Sequence, residues 1–354
     1  MKKIKLIIIG LISSLTIANA QESFKTDTFS FSFEGKRLHG FIDIPLDYKP
    51  DALIIIVGGH GKTNYGYRDW YNDSLFTSFT NQGLTCVRWD KAGCGKSDGK
   101  YNHNQTIQNS AKEILAAIEE LKKLKVIGVS KIGLWSGSRG GWIAPLVISD
   151  YSSIAFWISV CGGDGLDSWP YQLESNLRFA GKSDSVAREL VEEFLEGGVV
   201  FENGGTYEDW LEAEKNFSRD SFCLKYIGRG EMTEEAYYRE QKQIMKNPLY
   251  PRDSATNLYV LVPDFKNVLN QIDCPVLAIY GEKDYVVDWR KTIPLYKETI
   301  GEKSNLTIKS FPNGNHALLK CKTGASNEKL ENPEFCDEYF ETMVKWISEN
   351  GYGE

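Results

Sequence analysis

The chain has 354 residues, of which 42% are hydrophobic, 25% are charged and 12% are aromatic. This composition is typical of a folded globular protein and excludes a chain that is mostly disordered. The net charge is −7, and without the basic excess that phosphate backbones attract we expect no nucleic-acid partner.

The first twenty residues differ from the rest of the chain. The basic stretch MKKIK precedes the apolar run LIIIGLISSLTI, and the small residues ANA follow. The apolar run has 12 residues, fewer than the ~20 that a membrane-spanning helix needs. We therefore predict a secretory signal peptide at residues 1–20, and a secreted or periplasmic protein with no stable membrane anchor. Cleavage near Ala20 leaves 38 basic and 48 acidic residues, a net charge of −10.

Apolar patterning predicts alternating strands and helices along most of the chain. Residues 24–45 alternate apolar and polar side chains about a Glu34-Gly35 turn, which predicts a hairpin. Continuous apolar runs predict buried strands, and apolar residues at helical spacing predict the helices between them. The predicted strands are residues 52–57, 84–90, 131–136, 153–163, 274–284 and 304–312, and the predicted helices are residues 74–83, 104–125, 140–150 and 334–350. This alternation indicates an α/β fold with a mostly parallel sheet and helices on both faces.

Residues 165–267 interrupt this pattern. They are rich in charged and aromatic residues, as in YEDWLEAEKNF and TEEAYYREQKQIMKN, and no clear strand pattern occurs there. We therefore predict a core formed by residues 21–164 and 268–354, with a helical lid insertion at residues 165–267. The lid would lie over the C-terminal edge of the sheet, where ligands bind in open α/β folds.

The segment LWSGSRGGW, residues 134–142, contains two candidate nucleophiles. A nucleophilic serine needs a neighbouring base, and a sharp strand-to-helix turn exposes its hydroxyl if small residues stand two positions before and after it. Ser136 has Leu134 two positions before it and fails this test. Ser138 has Ser136 before it and Gly140 after it, so we predict that Ser138 is the nucleophile. A plain glycine-rich turn is the alternative.

An acid and then a histidine are expected after such a serine. His316, in the loop NGNHAL after the last predicted strand, is the one histidine that follows Ser138 in the chain. Glu282, Asp284 and Asp288 follow the preceding strand and are the candidate acids. We favour Asp284, because Glu282 is too near the strand end and Asp288 is expected to cap the next helix.

The oxyanion that forms during acyl transfer needs two N–H donors. We predict that one is the backbone N–H of Arg139, and that the other comes from the glycine-rich loop GGHGK. Gly59, His60 and Gly61 are the candidates in that loop. The side chain of Arg139 would pair either with a substrate carboxylate or with the lid, and the sequence leaves both open.

The motifs IIIVGGHG, VRWDKAGCGKSDG, SGSRGG, YGEKD and NGNHAL occur in this order within residues 52–161 and 274–320. Together they resemble the α/β-hydrolase superfamily, and more narrowly the secreted bacterial esterases and serine-aminopeptidase-like hydrolases with an inserted lid. The resemblance implies an α/β-hydrolase fold, and a structural loop at VRWDKAGCGKSDG that packs near the site. Ser136 stands where glycine is usual in the elbow, and Ala92 stands where that loop often carries arginine.

These observations predict a secreted serine hydrolase that cleaves carboxylic esters through an acyl-enzyme. A serine exopeptidase with the same triad is the first alternative, and it would need acidic groups, such as those of EEFLE or EDWLEAE, to hold a free amino terminus. A non-catalytic binding protein on the same scaffold is the second. We expect a small-molecule ester or short-peptide substrate and no cofactor or metal, because the sequence has no HExxH, GxGxxG or paired CxxC motif.

The chain has seven cysteines. An exported protein meets an oxidising compartment. Cys321 and Cys336, which flank a polar stretch near the C-terminus, are the predicted disulfide pair.

Overall fold

A computed structural model describes residues 23–228, 230, 232–246, 250–301, 303 and 306–353. The predicted signal peptide, residues 1–20, lies outside the described residues. Within the described part of the chain, no helix has both the length and the apolar character needed to cross a membrane.

The described strands form one eight-stranded sheet with the order β1-β2-β4-β3-β5-β6-β7-β8. The strands are β1 (Phe24–Phe33), β2 (Lys36–Pro45), β3 (Leu53–Val57), β4 (Thr85–Trp89), β5 (Ile132–Gly137), β6 (Ile154–Val160), β7 (Val276–Gly281) and β8 (Leu306–Phe311). β1 and β2 form the predicted hairpin, and β2 pairs with β4 antiparallel. All pairs from β4 to β8 are parallel, which confirms the predicted mostly parallel sheet.

Helices follow the parallel strands and cover both faces of the sheet. The helices are α1 (Trp70–Thr80), α2 (Ile107–Lys123), α3 (Gly140–Asp150), α4 (Trp169–Phe179), α5 (Asp184–Glu202), α6 (Tyr207–Ala213), α7 (Ser221–Ile227), α8 (Glu234–Lys246), α9 (Phe265–Asn270), α10 (Trp289–Thr299) and α11 (Tyr339–Glu349). Residues of α2, α3, α9 and α10 share one apolar cluster, and residues of α1 and α11 share another. The two clusters lie on opposite faces, because β3 contributes alternate residues to each. A strand that is buried on both faces has a continuous apolar sequence, and β3 is such a strand.

A buried ion pair joins the hairpin to the parallel part of the sheet. Asp43 on β2 and Arg88 on β4 are 0% and 1% exposed, and the Arg88 Nη1 lies 2.7 Å from the Asp43 Oδ2. Thr26 and Arg68 also donate hydrogen bonds to the Asp43 carboxylate. Removing one partner of such a pair leaves a buried charge without compensation, so loss of either side chain should destabilise the antiparallel edge.

Helices α4 to α8 lie between β6 and β7 in the chain, in the region predicted as an insertion. Helices α4, α5 and α7, with a short 3-10 helix at Phe217–Arg219, share an apolar cluster of their own, formed by Leu173, Leu177, Ala187, Leu190, Val191, Phe217 and Cys223. The short helix α9 instead contributes Phe265 and Leu269 to the core beneath the sheet. The predicted boundary between residues 267 and 268 therefore falls inside α9.

The seven cysteines are all free thiols in the structure. The predicted pair of Cys321 and Cys336 is therefore not formed.

Candidate active site

Ser138 lies in the sharp turn between β5 and α3. Its φ is +53°, a left-handed conformation that non-glycine residues seldom adopt, and its N–H donates to the carbonyl of Val160 at 2.8 Å. Gly141 lets the start of α3 approach the end of β6, because a Cβ at that position would lie 2.5 Å from the Gly162 Cα. The turn thus holds the Ser138 side chain clear of its own backbone, as the sequence predicts.

The structure brings Ser138, His316 and Asp284 together. The His316 Nε2 lies 2.8 Å from the Ser138 Oγ, and the His316 Nδ1 lies 2.8 Å from the Asp284 Oδ2. Asp284 is fully buried, and its Oδ1 accepts hydrogen bonds from the backbone N–H groups of Val286 and Val287 at 2.8 and 3.0 Å. These two bonds fix the carboxylate so that its other oxygen faces the imidazole.

The other candidate acids have different partners. The Glu282 carboxylate accepts a hydrogen bond from the Ser310 hydroxyl at 2.7 Å. Asp288 caps α10, as predicted, with its side chain accepting from the N–H of Arg290. Each of these carboxylates is thus engaged in a local structural contact away from His316.

Ser136 has a structural contact of its own. It is 0% exposed, and its Oγ accepts a hydrogen bond from the Trp157 Nε1 at 2.7 Å. A glycine here, the usual residue in such a turn, would leave the buried indole N–H without this partner. The departure from the usual motif therefore has a packing explanation.

Cys161 lies directly after β6 and beside the acid. One ligand atom from each of Cys161, Asp284 and His316 lies within 4.8 Å of the others, the one such group of three or more found among the described residues. Burial, and next the Asp284 charge, raise the pKa of the Cys161 thiol well above its usual range. Both ring nitrogens of His316 already make hydrogen bonds. A neutral thiol and a fully engaged imidazole favour a hydrogen-bonded arrangement over a metal site.

The glycine-rich loop after β3 passes close to Ser138. A Cβ built on Gly59 would lie 3.4 Å from the Gly137 carbonyl oxygen and 4.0 Å from the Ser138 Cβ, which are ordinary contact distances, so the loop packs against the turn that carries Ser138. Gly61 adopts a φ of +97°. The His60 side chain is exposed, and its Nε2 lies 3.2 Å from the His103 Nε2. Burial, and next the neighbouring His103, lower the pKa of His60.

The Arg139 side chain turns toward the start of α2. Its guanidinium donates to the Gln105 carbonyl and to the Ser110 hydroxyl, the second at 3.0 Å. Burial lowers the pKa of this guanidinium. Both contacts are to residues at the start of α2 rather than to helices α4 to α8, where the sequence predicts the lid. Arg139 also lines the cavity beside Ser138.

A cavity of about 740 Å³ opens beside Ser138 and His316. Much of its wall is aromatic, formed by Tyr65, Tyr71, Trp135, Trp142, Trp169 and Tyr250. Asp167 is the one carboxylate among the described residues that line it, and burial raises the pKa of that carboxyl group. The surroundings of the serine are therefore mainly apolar.

Known protein families and solved structures are similar to this chain. The family described as serine aminopeptidase, S33, matches residues 48–178, and the dienelactone hydrolase family matches residues 253–350. The structure of an esterase from Pyrococcus furiosus is similar, with a TM-score of 0.53 over 94% of this chain and 93% of that one, at 15% identity. The chain has the α/β-hydrolase fold.

Peptidases are among the similar proteins as well. The structure of a proline iminopeptidase from Mycobacterium smegmatis is similar to that of this chain, with a TM-score of 0.52 over 92% of this chain and 98% of that one, at 16% identity. A curated proline iminopeptidase from Saccharolobus solfataricus is 26% identical over 66% of this chain and 70% of its own length. The two family matches and the curated proline iminopeptidases show a serine hydrolase enzyme, which disfavours the non-catalytic binding protein.

Three residues near the site were not among the predicted site residues. Cys161 lies beside Asp284, His103 contacts His60, and Lys91 binds the glycine-rich loop from below. Lys91 could have been found from the sequence, because it follows a buried strand directly and lies in the motif VRWDKAGCGKSDG, which the resemblance places near the site. His103 precedes the elbow in the chain, so the expected chain order gave no reason to choose it.

Proposed function

We propose that Ser138, His316 and Asp284 form a catalytic triad with which this α/β-hydrolase cleaves carboxylic esters. The observation that carries the proposal is the unbroken chain of hydrogen bonds, each 2.8 Å long, from the serine hydroxyl through the imidazole to the buried carboxylate, at the wall of an aromatic cavity.

The mechanism follows from the positions of these atoms. His316 takes the proton from the Ser138 hydroxyl as its oxygen attacks the acyl carbonyl, and Asp284 stabilises the imidazolium that forms. The N–H of Arg139 and an N–H of the 59–61 loop would hold the oxyanion. The protonated His316 then gives its proton to the leaving alcohol. Water, activated by the same imidazole, releases the acid from the acyl-enzyme and restores the Ser138 hydroxyl.

The placement of acidic residues favours an ester over a peptide with a free amino terminus. Glu193, of the EEFLE segment, is buried and accepts hydrogen bonds from the N–H groups of Asn216 and Phe217. Glu214, of the EDWLEAE segment, lines an adjoining cavity that shares Asp167 and Trp169 with the cavity of Ser138, and it is not among the residues that line the latter. Asp167 alone would meet an ammonium group in the cavity of Ser138. An apolar cavity wall instead suits an acyl or aryl group.

An aminopeptidase is the second candidate, and Asp167 together with the similarity to proline iminopeptidases supports it. The two functions are separated by comparing p-nitrophenyl esters, from acetate to longer acyl chains, with aminoacyl p-nitroanilides. We expect the esters to have the higher kcat/KM, and Ser138→Ala to abolish the activity. Ser136→Ala is the matched control, since it removes a hydroxyl two residues away. A higher kcat/KM for the anilides would replace the esterase proposal by the peptidase.

We also propose that the protein is exported. The composition of residues 1–20 supports this proposal. Expression of the full chain in a bacterial host, followed by amino-terminal sequencing, should give a mature protein that begins at Gln21. A protein that keeps Met1 and stays in the cytoplasm would contradict export.

A further inference from the structure

The Lys91 side chain binds two carbonyl groups of the glycine-rich loop that passes Ser138. It follows β4 in the segment VRWDKAGCGKSDG. Its Nζ donates to the carbonyl of Gly59 at 2.6 Å and to the carbonyl of Gly61 at 2.8 Å, and its backbone N–H donates to the Thr63 hydroxyl at 2.8 Å. One lysine therefore fixes the direction of two carbonyl groups in the loop that passes Ser138.

The direction of a carbonyl determines the direction of the next N–H. In a planar trans peptide the C=O and the N–H point to opposite sides, and the peptide between Gly59 and His60 is trans. Because the Gly59 carbonyl points at Lys91, the His60 N–H points away from that lysine. Of the glycines in this loop, Gly59 is the one whose Cβ position reaches Ser138, at 4.0 Å from the Ser138 Cβ. The peptide between Gly59 and His60 therefore lies beside the proposed nucleophile, with its N–H directed away from Lys91.

We propose that Lys91 is a positioning residue that orients the Gly59–His60 peptide, so that the His60 N–H donates to the oxyanion. The inference rests on the proposed function, and it selects one donor from the three candidates Gly59, His60 and Gly61. The ammonium also polarises the peptide that it binds. A carbonyl that accepts a charged hydrogen bond makes the N–H of the same peptide a stronger donor.

The charge on Lys91 depends on its neighbours. Burial, and next the guanidinium of Arg139 at the start of α3, lower the pKa of Lys91 to about 8, while Glu113 on α2 and Cys94 on the same loop act in the opposite direction. His60, His103 and Tyr101 line the same small space. A lowered pKa means that the ammonium loses its proton as the pH rises through 8, so kcat should fall on the alkaline side.

The test compares Lys91→Met with Lys62→Met, which makes the same change at an exposed position of the glycine-rich loop that Lys91 contacts. Lys62 is exposed, and its ammonium lies over the Tyr101 ring at 5.8 Å from the centroid. Losing an oxyanion donor lowers kcat by about 100- to 1000-fold, and a donor left in place but misaligned should lose about 10- to 100-fold. We expect that loss in the kcat of Lys91→Met toward an aryl ester, with KM changed less than about threefold. Lys62→Met should match the wild type.

A pH profile supplies a second readout that a merely structural role would not move. The wild-type kcat should show an alkaline limb near pH 8, and Lys91→Met should lack it. If Lys91→Met does not fold, as judged by near-UV circular dichroism, Lys91→Arg carries the test. An arginine side chain stays charged at pH 8 and well above it, so the alkaline fall in the kcat of Lys91→Arg should move beyond pH 10. An unmoved limb would overturn the proposal.

Kinetic results for the two methionine variants separate failure of the positioning role from failure of the proposed function. Equal kcat values for Lys91→Met and Lys62→Met, or a loss confined to KM, would refute the positioning role while leaving the esterase intact. If the wild type cleaves no ester, the rate at which a fluorophosphonate labels Ser138 replaces kcat, and equal rates in the two variants refute the role of Lys91 alone. A wild type that neither turns over esters nor labels contradicts the proposed function and this inference together.

Discussion

Replacing Asp284 by asparagine tests the geometry of the proposed triad. The Asp284 Oδ1 accepts two backbone hydrogen bonds, from Val286 and Val287, and an amide oxygen can accept the same two. The Oδ2 position, 2.8 Å from the His316 Nδ1, would then carry an NH2 group. An amide donor there requires the imidazole to keep its proton on Nε2, where it can no longer accept the proton of Ser138.

The expected loss follows from that wrong tautomer. In serine hydrolases the change costs about 10⁴-fold in kcat, or roughly 5 kcal/mol of transition-state stabilisation. The stability should change little, because the amide keeps the two backbone bonds. Asp284→Ala is the contrasting variant. It leaves two buried N–H groups without acceptors, at about 1–3 kcal/mol each, so it should lose stability as well as activity.

The assay is the kcat for p-nitrophenyl acetate, with urea unfolding of the same samples. Asp288→Asn makes the same chemical change at the cap of α10, and it should keep the activity. The reasoning would be refuted if Asp284→Asn kept more than about a tenth of the wild-type kcat, since no misplaced tautomer allows that.

Three further changes test the packing around the site. Ser136→Gly should keep the esterase activity but lower the free energy of unfolding by about 1–3 kcal/mol, because the buried Trp157 N–H loses its acceptor. Urea unfolding measures this loss, and an unchanged unfolding midpoint would contradict it. Gly141→Ala should reduce both the soluble yield and kcat, because the new Cβ would lie 2.5 Å from the Gly162 Cα. A variant whose kcat equals that of the wild type would show that this close contact is unimportant. Asp43→Asn should lower the free energy of unfolding by about 3–5 kcal/mol, since its buried arginine partner keeps its charge; a loss below about 1 kcal/mol would argue against the ion pair.

The strands, the helices and the candidate residues Ser138, Asp284 and His316 could be predicted from the sequence, because their signals are local patterns or their order in the chain. Buried parallel strands are continuous apolar runs, and the turn at Ser138 needs small residues at fixed positions on either side. His316 could be chosen because no other histidine follows the elbow. Asp284 could be preferred over Asp288 because a helix cap has its own sequence pattern.

The remaining features depend on segments that are distant in the chain. The hydroxyl of Ser136 meets an indole 21 residues away, and Lys91 reaches a loop about 30 residues before it. Neither contact has a periodicity or a spacing that could reveal it. The end of the inserted region was likewise obscured, because the short helix α9 continues the helical pattern while its apolar side chains pack under the sheet.

The most direct test of the account is the site of covalent labelling by a fluorophosphonate. The protein is treated with the reagent, digested, and mapped by mass spectrometry, with Ser138→Ala treated in parallel. The account predicts one adduct per chain, on Ser138, and none in the variant. An adduct on Ser136 or elsewhere, or a wild type that stays unlabelled, would contradict the assignment of Ser138 as the nucleophile.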